Sequence, residues 1–172
     1  LKGMGRVAQV AMAASRRVLV FGWGAAAEQV LKELSAYKAG EAGGSCSSAS
    51  AVCCISQTSQ ASDCDLRDVC SSMGFECVLM DAAAEIFEKA SSFKPDLIVS
   101  ASYRKKISAR VLDLCEDRIN FHPSLLPKHR GCWSGFWCLF EGDAETGVTC
   151  HRMVEEFDAG LILHQERIAV AS

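Results

Sequence analysis

The sequence predicts an α/β domain, a mainly parallel β-sheet with helices on both faces. Three observations predict it. Short apolar runs of strand length recur along the chain, beginning with Val18-Leu19-Val20-Phe21. The first four are each followed by a stretch whose apolar residues recur at helical spacing. Strand–helix alternation needs crossover connections, and these produce parallel pairing with helices laid over the sheet.

The elements follow in order. Arg17–Phe21 is a buried-type strand ended by Gly22-Trp23-Gly24. Residues 25–37 read as a helix through Ala27, Val30, Leu31 and Leu34. Gly40–Ser50 is rich in Gly and Ser and reads as a loop. Ala51–Ser56 is the second strand, residues 63–73 a helix and Phe75–Met80 the third strand. Residues 82–93 are an amphipathic helix through Ala83, Ile86, Phe87, Ala90 and Phe93. Pro95-Asp96 punctuates before the fourth strand, Leu97–Ser100. Residues 107–116 read as helical, Arg118–His122 as the fifth strand, and 147–154 and 160–170 as strand-like segments. In sheets of this kind ligands bind beyond the carboxyl ends of the strands.

Composition narrows the function. The chain has 172 residues, 49% hydrophobic and 23% charged, which suits one domain, or a domain and a fragment of another. A chain of this size buries roughly 70% of its unfolded surface, enough for a core without disulfide or metal support. The 18 basic and 21 acidic residues leave a net charge of -3, so no basic excess points to wholesale nucleic-acid wrapping. No apolar run reaches the ~18–20 residues of a membrane span, and no membrane partner is expected.

Ten cysteines stand at 46, 53, 54, 64, 70, 77, 115, 132, 138 and 150. None forms a Cys-x-x-Cys pair, and His122, His129, His151 and His164 do not fall at zinc-finger spacing from them. They read as reduced structural thiols acting as small hydrophobes, with no metal expected. With no secretory signal visible, the cytoplasm or an organelle matrix, mitochondrial or plastid, is the expected compartment. Residues 1–16 hold Lys2, Arg6 and Arg16, no acid and many small residues; they read as a transit-like leader or the tail of a fragment.

Two stretches carry chemistry. Gly22-Trp23-Gly24-Ala25-Ala26-Ala27 fits the loose form of a dinucleotide fingerprint between strand and helix. A nicotinamide site would also need an acid at the end of the second strand, which runs instead into Ser56-Gln57-Thr58, so the turn reads as a tight helix start. The second stretch is Ile119-Asn120-Phe121-His122-Pro123. Strand alternation turns Asn120 and His122 to one face, and Pro123 ends the pairing. A carboxamide and an imidazole thus emerge side by side at a strand's carboxyl end. Asn can give an N–H to a developing oxyanion and His can move a proton near neutral pH. Taken alone, a strand-end histidine is more often structural. Asp158, before the turn at Gly160, could orient the ring and favour its charged form if the two meet.

Asn120-Phe121-His122-Pro123-Ser124-Leu125-Leu126-Pro127, then Gly131, then Glu145-Thr146-Gly147-Val148-Thr149, then Asp158-Ala159-Gly160, closely resembles the folate-dependent formyltransferase family. The order and spacing agree over roughly residues 17–170. The resemblance implies a Rossmann-like catalytic domain over 17–172 and 10-formyltetrahydrofolate as formyl donor, with no metal. It implies a triad of Asn120, His122 and Asp158. An amine would attack the formyl carbon directly, without an acyl-enzyme, so Cys115 and Cys132 are not needed as nucleophiles. The segment Tyr103, Arg104, Lys105, Lys106 and Ile107 resembles the family's pterin-lining stretch, and its cations suit a glutamate tail. Ser124, Leu125, Leu126 and Pro127, together with Gly131, resemble the loop beside the formyl donor.

For the acceptor, the turn at Gly22 and Gly24 lacks the polar side chains that hold a ribose phosphate in the purine-pathway enzymes. The stretches at 125–131 and 145–149 look more like the tRNA enzymes, so initiator methionyl-tRNA is the expected acceptor. His151 argues the other way, because the purine and sugar enzymes usually carry His there. A phosphoribosylglycinamide or amino-sugar acceptor is the first alternative. Water, which would make the protein a formyltetrahydrofolate hydrolase, is another, and an inactive nucleotide-binding module is the non-enzyme reading.

Overall fold

The computed structural model describes residues 16–38, 49–58 and 65–170. The leader-like residues before Arg16, most of the Gly/Ser-rich loop, Cys46 and Cys64 lie outside these. Seven strands and five helices are described: β1 (Arg16–Gly22), α1 (Gly24–Lys38), β2 (Ala49–Ser56), α2 (Leu66–Ser72), β3 (Glu76–Leu79), α3 (Ala83–Phe93), β4 (Leu97–Ala101), α4 (Ala109–Leu112), β5 (Arg118–His122), α5 (Ser134–Phe140), β6 (Glu145–Arg152) and β7 (Ile162–Ala169).

The strands form one sheet in the order β3-β2-β1-β4-β5-β6-β7. The pairs from β3 to β5 are parallel, and β6 and β7 add antiparallel. The expected mainly parallel α/β architecture is thus the observed one. Two-residue alternation divides the core between the faces. Val18, Val20, Cys54 and Val99 point to one side, where Ala27, Val30, Leu31 and Leu34 of α1 and Leu66 and Cys70 of α2 meet them. Leu19, Phe21, Cys53, Ile55 and Ile98 point to the other, with Ile86 and Ala90 of α3 and Val111 of α4. β1 sits between β2 and β4, so Val18 to Phe21 are all fully buried. That explains why the run is continuously apolar rather than alternating.

Strand order reverses between β1 and β4, and the turns after these strands touch. Trp23 N donates to the Ala101 carbonyl at 3.2 Å. A Cβ on Gly22 would lie 2.4 Å from the Ala27 Cβ, so only glycine lets α1 start this close to the sheet.

Three local expectations are corrected. The helix expected over 107–116 is one turn, because the Arg118 guanidinium donates to the Leu112 carbonyl at 2.6 Å and ends it. β2 starts at Ala49, taking two residues expected in the loop. Helix α5 was not expected. Its buried residues are Ser134 and Cys138, whereas Phe136, Trp137, Leu139 and Phe140 face outward, so the usual apolar stripe is inverted. No described helix is long and apolar enough to cross a membrane.

Candidate active site

The fold brings Asn120, His122, Asp158 and His151 together. Asn120 and His122 leave the carboxyl end of β5 on one face, as alternation requires. Antiparallel β6 sets His151 opposite Asn120 and Thr149 opposite His122. Asp158 lies in the β6–β7 connection in a left-handed conformation, φ 52°. The connection is pressed tightly against β6: a Cβ on Gly160 would lie 1.8 Å from the Arg152 carbonyl oxygen.

Asp158 is the hub. Its side chain is only 8% exposed. One oxygen, Oδ2, lies 3.3 Å from His122 Nδ1 and accepts from Gly131 N at 2.8 Å. The other, Oδ1, accepts from Asn120 Nδ2 at 3.3 Å and lies 3.4 Å from His151 Nε2. Burial on its own would raise the Asp158 pKa. The hydrogen bonds from His151 and Gly131 and the facing charge of His122 outweigh it, and the carboxyl is held below its ordinary value.

The ring partners constrain the protons. His122 Nε2 faces the His129 carbonyl at 2.8 Å. Its other nitrogen, Nδ1, faces Asp158, so the ring lies between the carbonyl and the carboxylate. His151 Nδ1 faces the Arg152 carbonyl at 2.9 Å and must donate there. Its Nε2, 3.1 Å from Asn120 Nδ2, therefore either accepts from the carboxamide or, once protonated, donates to Asp158.

The loop after β5 is fastened from beneath. Ser124 is fully buried and its hydroxyl donates to the Lys128 carbonyl at 2.6 Å. Thr149 Oγ1 donates to the Ser124 carbonyl at 2.6 Å and accepts from Leu126 N at 3.0 Å and from Gln165 Nε2 at 2.9 Å, which uses its full capacity. Gln165 also donates to the Leu126 carbonyl. Ser124 and Leu126 therefore face inward, Leu125 is half-buried and Pro127 is exposed. Farther along, Asp143 takes Lys128 Nζ at 2.9 Å and His129 Nε2 at 2.7 Å, and these two hydrogen bonds hold its carboxyl low. Thr149, Gln165 and Asp143 have no role in the sequence reading, and Gly131, expected beside the formyl donor, proves to donate its amide to Asp158. Thr149 and Gly131 stand inside the quoted motifs, but Gln165 and Asp143 carry no sequence signal.

The segment after β4 forms the neighbouring wall. Tyr103 packs edge-on against Phe21, ring centroids 5.2 Å apart. Its hydroxyl is buried without a hydrogen-bond partner, and burial, then the Asp81 charge, pushes its pKa up to about 12. Arg104 lies over the Trp23 ring at 4.5 Å, in the turn that Gly22 and Gly24 build. Lys105 is committed to Asp81 at 2.5 Å. Lys106 lies 5.9 Å from the centre of Phe157, next to Asp158 in sequence. Ile107 packs into the core beneath.

Comparison with known proteins fits this geometry. The family described as formyl transferase matches residues 16–172. A GDP-perosamine N-formyltransferase of Brucella melitensis biotype 1 is 48% identical over 87 residues, covering 50% of this chain and 34% of that protein. The match thus spans about a third of that relative's length. Among solved structures, glycinamide ribonucleotide transformylase 1 from Symbiobacterium toebii superposes with TM-score 0.75 at 22% identity, covering 95% of this chain and 76% of that one. A formyltetrahydrofolate deformylase from Pseudomonas syringae pv. tomato gives 0.73 at 25% identity, covering 91% and 52%. Together with the sheet order and the motif-bearing strand ends, the match over nearly the whole chain shows that this protein belongs to the formyl transferase family.

Proposed function

We propose that residues 17–172 form a catalytic domain that transfers a formyl group from 10-formyltetrahydrofolate to the amine of a nucleotide-linked amino sugar. The observation that carries the acceptor is the 48% identity to a GDP-perosamine N-formyltransferase. It replaces initiator methionyl-tRNA, the acceptor expected from the loop motifs, and agrees with His151. His151 is only 2% exposed and lies beside Asn120, as part of the acidic hub rather than a filler on the strand.

When bound, the folate supplies an activated formyl carbon. The chain's residues fit such a donor: the buried Tyr103 hydroxyl has a bond to give, and Lys106 lies beside Phe157, next to Asp158 in sequence. Asn120 and His122 are the N–H donors for the oxyanion charge that grows as the amine adds, once each gives up one of its present partners. His122 Nδ1 stays on Asp158, while Nε2 exchanges the His129 carbonyl for the developing oxyanion, which requires residues 128–131 to give way. Asp158 keeps the ring oriented and offers a carboxylate at which a water can relay the proton lost by the amine. As the new C–N bond forms, the bond from the formyl carbon to the folate nitrogen would break and that nitrogen would take the relayed proton, giving the formamide and tetrahydrofolate. Alignment of amine and formyl carbon supplies much of the remaining acceleration.

The test is turnover of 10-formyltetrahydrofolate with GDP-perosamine, with glycinamide ribonucleotide, with charged initiator tRNA and with no amine. Formylated sugar nucleotide as the main product supports the proposal. Formate release that is independent of any amine overturns it in favour of hydrolysis, and preferred formylation of tRNA or glycinamide ribonucleotide overturns the acceptor.

A further inference from the structure

Away from the formyl-transfer site, three cysteines converge at the far edge of the sheet. Cys54 on β2 and Cys77 on β3 are register partners in a parallel pair. Cys70 comes from α2, which lies over the same face. The three sulfur atoms all lie within 4.8 Å of one another. Cys54 and Cys70 are fully buried, and Cys77 is half-buried, which leaves a way in from solvent.

We propose that Cys54, Cys70 and Cys77 bind a soft divalent cation of the zinc type through three thiolates, clamping β2, α2 and β3 together. Metal–sulfur bonds of about 2.3 Å put the sulfurs of a three-thiolate site roughly 4 Å apart, so the observed cluster needs only slight contraction. Thiolate donors select zinc, copper(I) and similar ions over magnesium or calcium. Three cysteine ligands leave the fourth position of a tetrahedral ion to water or another light donor on the Cys77 side. Binding releases the thiol protons to solvent and leaves the site with one net negative charge.

A disulfide accounts for the cluster less well. Parallel neighbours run about 4.8 Å apart, whereas a disulfide needs Cβ atoms about 3.8 Å apart, and any pairing strands the third sulfur. Spacing arguments miss the site because its ligands come from three elements, 16 and 7 positions apart along the chain.

The test uses the full reduced chain, loaded anaerobically with zinc and then challenged with a competing chromophoric chelator. The wild type retains one zinc per chain, and zinc-edge X-ray absorption reads three sulfurs at about 2.3 Å. Cys77→Ser, at the least buried ligand, weakens binding by about a hundredfold or more. Cys132→Ser, at an exposed cysteine elsewhere, leaves it unchanged. Zinc raises the wild-type melting temperature and leaves that of Cys77→Ser where it was. No zinc retained by the wild type, a shell poor in sulfur, or equal retention by Cys77→Ser would overturn the proposal. The wild-type spectrum decides even if a variant fails to fold.

Discussion

The two halves of the sheet bury different things. From β1 to β4 and their helices, the interior is apolar side chains and thiols, and among the described residues only Ser56 and Ser100 are buried polar residues there. From β5 onward the buried polar residues are His122, Ser124, Ser134, Thr149 and His151. The same later half carries every exposed large apolar side chain among the described residues, from Trp133 to Ile168. Burying a polar group without a partner costs about 1–3 kcal/mol on protein scales, which favours pairing. Here they are paired: Thr149 uses all its hydrogen-bonding capacity, and Asp158 gathers Asn120, His122, His151 and the Gly131 amide. The first half is packed as a core, and the second fixes a network of polar side chains around Asp158.

That contrast can be broken by substitutions on either side. His122→Ala removes a proposed oxyanion donor and should lower the formyl-transfer rate by about a hundred- to a thousandfold. A parallel melt should show a folded chain; near-normal turnover would remove the imidazole from the chemistry. Leu31→Ala, at a fully buried site on α1, should cost about 2–5 kcal/mol in a denaturant titration while the folded fraction keeps its activity. A loss of activity beyond the loss of fold would show that the halves are not separable. Thr149→Val strands the Leu126 amide and the Ser124 carbonyl and should cost about 1–3 kcal/mol.

The smallest effect is in acid. Asp158 holds its proton less tightly when folded than when unfolded, so its contribution is fully present above an ordinary aspartate pKa of about 4. It drains away as the pH falls through the lower folded value. Acid titration of stability should therefore show a shallower low-pH limb in Asp158→Asn than in the wild type. Identical limbs would mean that the carboxylate is not linked to folding.

Sequence reading reached different depths in the two halves. Val18–Phe21 and the spacing of Ala27, Val30, Leu31 and Leu34 disclosed the central strand and its helix, because burial on a regular element leaves a periodic trace. Asn120 and His122 were readable for the same reason, since alternation alone puts them on one face. Their meeting with Asp158 was not readable, because a loop residue 38 positions from Asn120 has no period to betray it. It came only through resemblance to a family. Helix α5 escaped because its aromatics point outward over buried Ser134 and Cys138. The loop motifs and His151 point to different acceptors, and only the antiparallel register, which puts His151 beside Asn120, places this histidine in the polar cluster.

The central claim is that one carboxylate organises this polar half for formyl transfer. Its most direct test is the single-turnover rate of formyl transfer by Asp158→Asn, a change that keeps the side chain's shape and removes its charge. A folded variant slowed by about a hundredfold or more is the predicted result; a folded variant within about twofold of the wild type would contradict the account.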